Sequence, residues 1–495
     1  MSMSQVKLRT LINEPQPGLR FSDFRKISEN GFGDGNNAYA HTMAWFKGRL
    51  YVGTTRANLC LIKNSVNLEL DRWPVECPNR VYSREFEYQQ ARAEIWRYTP
   101  EDERWDRVYQ SPIVVGKHGE EMSRELGYRG IIVYQAPSDP HPCLYLTNWS
   151  RSHGEGPIIL RSEDGDSFQV VPKPIDTITP INSVRSLTQF RGKLFTAPTG
   201  AGKGNPNTSG VPTIYVTDDP NSQQWHPANI PGFGDPTNAT IFEMEVFENW
   251  LYAGTLNNNG FQLWRTRAEG KPPYAWELVI ERGAGRGSLN QGIVSMAPFK
   301  GALYIGTGIQ NGGYDHTHNI GPAGAEIIRV TREGDWDLIV GDKRHIDGRV
   351  TQPLSGLPAG FGNLFNGYIW RMREHQGWLY AGTMEWSNTL AYAELEKRPP
   401  KVAKVLAEVG QQTVVERQGG FDLWRTFDGV NWVPVDRRGF DNCYNYGLRT
   451  MTSTPLGLFI GTANPFGPRV LNHGDQGWEY IDNPKGGCEI WLGNR

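Results

Sequence analysis

Seven residues occupy one repeated position along this 495-residue chain: His41, Arg129, Arg185, Phe242, Val294, Trp370 and Arg449. Each stands two places before a methionine or an aliphatic residue that takes the methionine's place. Three guanidiniums and an imidazole at equivalent positions of a repeat would converge. Like charges gathered without partners are costly, so the cluster implies compensating carboxylates or a bound anion. Glu243, Glu245, Glu385 and Asp441 are the candidate compensators, and a belt of structural ion pairs is the competing reading.

Asp441 is the sharpest departure among otherwise matching segments. It replaces a glycine in "GFDNCYNYGLR", which brings Tyr444, Tyr446 and Arg449 close behind it. A carboxylate beside phenols and a guanidinium can serve as general acid or base if burial raises its pKa toward neutrality. Glu385 and Trp386, directly after "LYAGTM", add a second carboxylate and an aromatic platform. The expected catalytic set is Asp441, Tyr446, Arg449 and Glu385. His41, Arg129, Arg185, Arg371, Trp386, Tyr39 and Tyr368 are the expected substrate contacts. Four histidines, His316 and His318 of "YDHTHN" with His41 and His153, are the only candidates for a metal. No acidic or cysteine partner accompanies them at regular spacing, so no metal or other cofactor is expected.

These residues hang on a repeat. "GFGDGNN" at 31–37 returns as "GFGDPTN" at 232–238, "GFGNLFN" at 360–366 and "GFDNCYN" at 439–445. Its closing Asn (Asn37, Asn238, Asn366, Asn445, and Asn290 in a looser copy) stands six residues before a Met. That Met precedes by seven the leucine of "LYVGT", "LYAGT", "LYIGT", "LYAGT" and "LFIGT". Two weaker copies around Leu144 and Leu194 make seven. Apolar stretches such as "EIWRYT", "QLWRTR" and "DLWRTF" read as a third strand, and "DGVNWVPV" or "PYAWELVI" as a fourth. One copy is therefore a four-stranded antiparallel meander of the size of a propeller blade. The expected fold is an all-β, seven-bladed β-propeller formed by residues 1–495 as a single domain. Its N-terminal strand, within about 20–29, completes the last blade by pairing with 488–492, which removes exposed sheet edges.

Function is expected where the repeat breaks, on the face carrying the glycine turns. Insertions at 56–93, 308–323 and 384–418 fall there. In the last, Pro399 and Pro400 divide two short helical pieces that read as a lid or wall over the channel mouth. Composition narrows the classes further. Net charge is −2, no basic block occurs, and no apolar run is long enough to span a membrane, which argues against nucleic acid and membrane as partners. The start of the chain lacks an apolar leader, so the expected compartment is the cytoplasm. The five scattered cysteines read as reduced structural thiols. "GAGRG" and "GAGKG" lack the strand-to-helix setting of a phosphate loop.

Segments "SEDGDSF" (162–168), "TFDGVNW" (426–432) and, more loosely, "TREGDW" (331–336) resemble the Asp-box of sialidase-type propellers, a folding element between third and fourth strands. The sialidases of that group use three arginines, a Tyr/Glu pair and an Asp acid. The resemblance implies Arg129, Arg185, Arg449, Tyr446, Glu385 and Asp441 for those roles, although the early Phe-Arg-Ile-Pro signature is missing. The trio Asp441, Tyr446 and Arg449 is also similar in type to the site of cyclophane-forming alkylating enzymes. There an Asp activates a phenolic carbon nucleophile while Arg and Tyr stabilise a leaving halide. The expected function is acid/base transformation of a small aromatic or anionic molecule at the upper mouth of the channel. The alternatives are a glycan-directed hydrolase or lyase and a non-catalytic binding propeller.

Overall fold

A computed structural model describes residues 16–63, 70, 72–80, 83–171, 181–200, 207–222, 224–397, 400–474 and 477–495. Strand pairing sorts the main strands into four-stranded antiparallel units laid down in chain order. The first unit is Asn37–Phe46, Arg49–Arg56, Glu94–Thr99 and Arg104–Gln110. The sixth is Asn366–His375, Trp378–Glu385, Leu423–Thr426 and Trp432–Asp436. The unit begun by Gly447–Thr454 and Gly457–Ala463 takes its third strand from Ile490–Gly493 and its fourth from the other end of the chain. Phe24–Lys26 pairs there, with Phe24 opposite Gly493 and Lys26 opposite Trp491. The expected meeting of the two ends is thus present, and the architecture is all-β and propeller-like.

Consecutive units touch in two ways. A single bridge links the second strand of one to the first strand of the next, as in Thr55 with Gly127, Met384 with Gly447 and Ala463 with Tyr39. Hydrophobic clusters fill the space between neighbouring sheets. Met43, Leu50 and Val52 of the first unit, for example, pack with Phe459, Ile490 and Leu492 of the last. Fully burying side chains of this size contributes roughly 1.5–3 kcal/mol each, so these seams carry most of the cohesion.

The glycine turn closes the same way each time. In "GFG" the first Gly, the Phe and the second Gly all take positive φ: 56°, 55° and 89° at Gly31, Phe32 and Gly33. The closing Asn then locks the turn. Asn37 Nδ2 donates to the Gly31 carbonyl at 3.0 Å and to Glu94 Oε2 at 2.9 Å. Asn238, Asn366 and Asn445 repeat both bonds, to Gly232 and Gln262, Gly360 and Asp422, and Gly439 and Glu489. Phe32, Phe233 and Phe361 each stack flat on a third-strand Trp, with Phe361 and Trp424 4.4 Å apart, whereas Phe440 meets Trp491 edge-on. "GAGRGSLN", set aside as a phosphate loop, is the same turn with one extra residue, because Asn290 Nδ2 donates to Gly283 and Glu326.

One expectation needs correction here. Cys60 and Cys77 form a disulfide with a Cα separation of 5.5 Å, so they are not reduced thiols; Cys143, Cys443 and Cys488 are free. Two cysteines brought together by an insertion are invisible to a spacing rule that seeks a regular framework. In the 384–418 insertion the prolines divide helical pieces as expected, since the short 3-10 turn Leu395–Lys397 precedes them, and two α-helices run Pro400–Val409 and Gln411–Gln418. Pro400 starts the first helix, where its missing N–H costs nothing, and Gly410 at φ 88° makes the break. Pro399 lies outside the described residues. Among the described residues, no helix is long and apolar enough to cross a membrane.

Candidate functional site

Every first strand carries a β-bulge, and the bulged residue is the one at the repeated position. Register skips between Ala40 and Thr42, Tyr128 and Gly130, Ile241 and Glu243, Ile293 and Ser295, Ile369 and Arg371, and Leu448 and Thr450. A wider skip between Val184 and Leu187 takes in Arg185. A bulge leaves one residue without a ladder partner and re-aims its side chain. His41, Arg129, Arg185, Phe242, Val294, Trp370 and Arg449 accordingly gather as one layer around a common space. The convergence expected from sequence is present, and its cause is backbone geometry.

The layer separates two chambers. Above it is a cavity of about 210 Å³. Its walls come from the inner strands (Tyr39, Tyr368, Tyr446, Trp370) and from all three insertions. The helix Asn58–Ile62 gives Asn58, Leu59 and Ile62. Tyr314, His316 and Pro322 come from the second insertion, and Trp386, Thr389 and Leu390 from the third. The disulfide at Cys60 ties that helix down, and Leu406 and Val414 of the two later helices back Leu390 and Phe365. Below the layer is a more polar chamber of about 380 Å³ that holds Glu243, Glu245, Arg371 and Arg373.

Charge in the layer is unbalanced. Arg449 is 5% exposed, and its guanidinium rests over the Trp370 ring at 5.2 Å with Nε unpartnered. Arg185 lies over Phe242 at 3.7 Å and donates to the neutral Asn207 Oδ1 at 3.1 Å. Arg129 donates to the same oxygen at 2.9 Å and to Ser183. Burial, then the nearby cations Arg371 and Arg185, pushes Arg449 down to about 9. Burial pushes Arg185 down to about 10. The compensation expected from Glu385 and Asp441 does not occur. Glu243 compensates in part, as expected: it faces Arg371 at 3.8 Å in the lower chamber, and its charge favours the cations of Arg185 and Arg449, with no ion pair to either among the described residues.

His41 Nδ1 pairs with Thr55 Oγ1 at 2.7 Å, and its buried Nε2 has no partner. Burial, followed by Arg449, Arg129, Arg185 and Arg371, holds the imidazole well below its ordinary pKa, so it is neutral at pH 7. In the tautomer that donates Nδ1–H to Thr55, Nε2 offers a lone pair. The phenols form a chain. Tyr39 Oη donates to Asn58 Oδ1 at 3.0 Å and therefore accepts from Tyr446, with which it is in close contact. Burial pushes Tyr39 and Tyr368 up to about 12, so both stay protonated. Gly447 is required beside this pair, since a Cβ there would lie 2.2 Å from the Trp370 ring.

The cavity thus unites eight expected residues: Tyr39, His41, Arg129, Arg185, Tyr368, Trp386, Tyr446 and Arg449. Three others stand elsewhere. Asp441 is exposed on its turn, at φ 62° in the slot of the second glycine, and pairs with Arg438 at 2.8 Å. Asp tolerates the left-handed region that the turn demands, so a short polar side chain is accommodated there and points to solvent. Glu385 is fully buried behind the wall, where it accepts from Ser387 N and Oγ at 3.0 and 2.9 Å. Burial raises its pKa well above the carboxylate range. Its backbone N–H holds the Tyr446 carbonyl at 2.7 Å. Arg371 lines only the lower chamber.

Among the metal candidates, His316 lines the cavity, His318 is bound to Asp315, and His153 faces Glu120. Among the described residues no group of three His, Cys, Asp or Glu side chains is placed to hold a metal. Trp149, Asn58, Asn207 and Tyr314 went unforeseen. Asn58 and Tyr314 lie in segments already marked as insertions, which was the one signal available.

No protein-family model and no curated protein matches the sequence. Among solved structures the chain is similar to puromycin hydrolase at 10% identity and TM-score 0.41, covering 94% of this chain and 55% of that one. A puromycin-hydrolyzing peptidase from Mycobacterium tuberculosis aligns at 8% identity and TM-score 0.42, over 93% of this chain and 56% of that one. This chain therefore spans about half the length of either. A putative 6-phosphogluconolactonase from Bacteroides fragilis aligns at 10% identity and TM-score 0.39, over 80% of this chain and 93% of that one.

Proposed function

We propose that the chain is a closed seven-bladed propeller whose upper cavity binds one small aromatic anion and transforms it by proton transfer. The observation that carries the reading is the pair of buried guanidiniums, Arg185 and Arg449, set without carboxylate partners at the floor of an aromatic box. A ligand carboxylate would replace the missing counter-charge, and Trp370, Trp386 and Tyr368 would flank its ring. His41 Nε2 is the proton acceptor within reach of that floor, and the Tyr446–Tyr39–Asn58 chain fixes a hydroxyl or carbonyl on the ligand.

Carbon alkylation and glycoside hydrolysis both lose their carboxylate, since no Asp or Glu is among the described residues lining the cavity. The same fact favours a second reading, a propeller that binds such an anion without changing it. Thermal scans with benzoate and 4-hydroxybenzoate against benzyl alcohol test the binding. The acids should raise the melting temperature and the alcohol should not, by mass action on the native state. Equal shifts for all three would refute the anion reading. Turnover of hydroxylated benzoates that disappears in His41→Gln, while benzoate still binds, separates the enzyme from the binder.

A further inference from the structure

We infer that the lower chamber is a second ligand site, built for a compact oxyanion reached from the face opposite the aromatic cavity, so that two ligands meet across the arginine layer. Five guanidiniums line this chamber, those of Arg129, Arg185, Arg371, Arg373 and Arg449, against two carboxylates, Glu243 and Glu245. Glu243 is engaged with Arg371 at 3.8 Å. Glu245 accepts from the Val246 N–H at 2.9 Å, and burial raises its pKa to about 7, which removes part of its charge at neutral pH. The surplus charge is positive on every count.

Hydrogen-bond donors point the same way. Thr42 Oγ1, Arg371 Nε and Arg449 Nε are buried without an acceptor, and all three residues line the chamber. Thr42 and Arg449 are each at least nine-tenths buried. Unsatisfied buried donors cost free energy, and three residues lining one space of about 380 Å³ each carry one, which favours a ligand rich in acceptors. Aromatic lining is slight here, with Phe242 and Trp370 confined to the roof. The fitting class is a carboxylate of one or two carbons, or an inorganic oxyanion such as phosphate. A ring compound belongs above.

The site is tested on the full chain by calorimetric titration of inorganic phosphate and, separately, of formate, with and without saturating benzoate. Binding of either probe in the presence of benzoate, weakened about tenfold in Arg371→Gln with benzoate affinity changed less than twofold, is the expected result. Preference for phosphate over formate, or the reverse, identifies the oxyanion type. Thr42→Val, which keeps shape and removes one donor, should weaken the same probe about threefold to tenfold and serves if Arg371→Gln does not fold. Strict competition between the probes and benzoate would overturn the inference, because it would place both on one site. So would probe affinities that neither variant changes. Should benzoate fail to bind while phosphate binds and responds to both variants, the upper-cavity reading falls and this one stands.

Discussion

The glycine turns and the strand bulges are two regions built to one period and filled on opposite principles. At the turns the same residues recur, because a Gly with positive φ, a Phe packed on a third-strand Trp and a doubly donating Asn are what the geometry needs. At the bulges the backbone recurs and the side chains differ: imidazole, three guanidiniums, two aromatic rings and a valine. Repetition of residue marks scaffold, and repetition of geometry with variable residue marks a place where the repeat presents chemistry. Within the layer the same contrast separates the side bearing Phe242 and Val294, which is apolar, from the side bearing His41, Arg129, Arg185 and Arg449.

The largest effect should come from the turns. Asn445→Ala removes donors to the Gly439 carbonyl and Glu489 and the acceptor of Thr462 Oγ1, and it leaves Glu489 buried with fewer partners. A loss of about 3–5 kcal/mol is expected in urea unfolding. A loss under about 1 kcal/mol would mean that the recurring Asn is not what holds the turns, and the contrast with the bulges would collapse.

At the bulges, substitution should move ligand binding rather than stability. Arg449→Met trades an unpaired buried cation for an apolar chain of similar length. It should stabilise the ligand-free protein by about 1–2 kcal/mol while weakening benzoate about 100-fold. Paired unfolding and calorimetry read both numbers. Destabilisation with unchanged affinity would return Arg449 to the scaffold.

What could be read in the sequence divides along the same line. The repeat, the pairing of the chain's two ends, the layer and the three insertions follow from local periodicity, which backbone pairing obeys. The site's depth does not. Glu385 follows directly on "LYAGTM", yet a strand alternates faces, and its side chain turns into the wall while Trp386 turns into the cavity. The lower chamber was missed because Thr42 and Arg371 each follow directly on a bulged residue, and nothing in one sequence marks which side of the bulge faces down. The Cys60–Cys77 link crosses an insertion, where sequence separation says nothing about distance.

A smaller effect belongs to His41. Burial and the surrounding arginines keep its folded pKa well below the unfolded value near 6.5. The unfolded chain therefore binds the extra proton first as the solution is acidified, and stability falls as pH drops below about 6.5, by up to about 1.4 kcal/mol per pH unit. His41→Gln should flatten that part of the stability curve between about pH 6.5 and 5 relative to wild type. Parallel curves would show that the imidazole is not held neutral, and with it the proposed proton acceptor would be lost.

The smallest effect is expected from the residue that looks most exceptional in the sequence. Asp441 occupies, at φ 62°, the slot where Gly33, Gly234 and Gly362 stand in the sister turns. Its only ion pair among the described residues is to Arg438, three residues back, with both side chains more than half exposed. Exposed pairs of this kind are worth about 0–1 kcal/mol, and glycine takes the same backbone conformation without strain, against a small rise in the entropy of the unfolded chain. Asp441→Gly should therefore change stability by less than about 1 kcal/mol and leave benzoate binding and any turnover within about twofold, because no atom of Asp441 lines the cavity. A loss of 10²-fold or more in turnover, the size expected for removal of a general acid or base, would put the reacting group at the turn and not at the bulge. The division between a repeated scaffold and a varied layer would then have to be redrawn around that carboxylate.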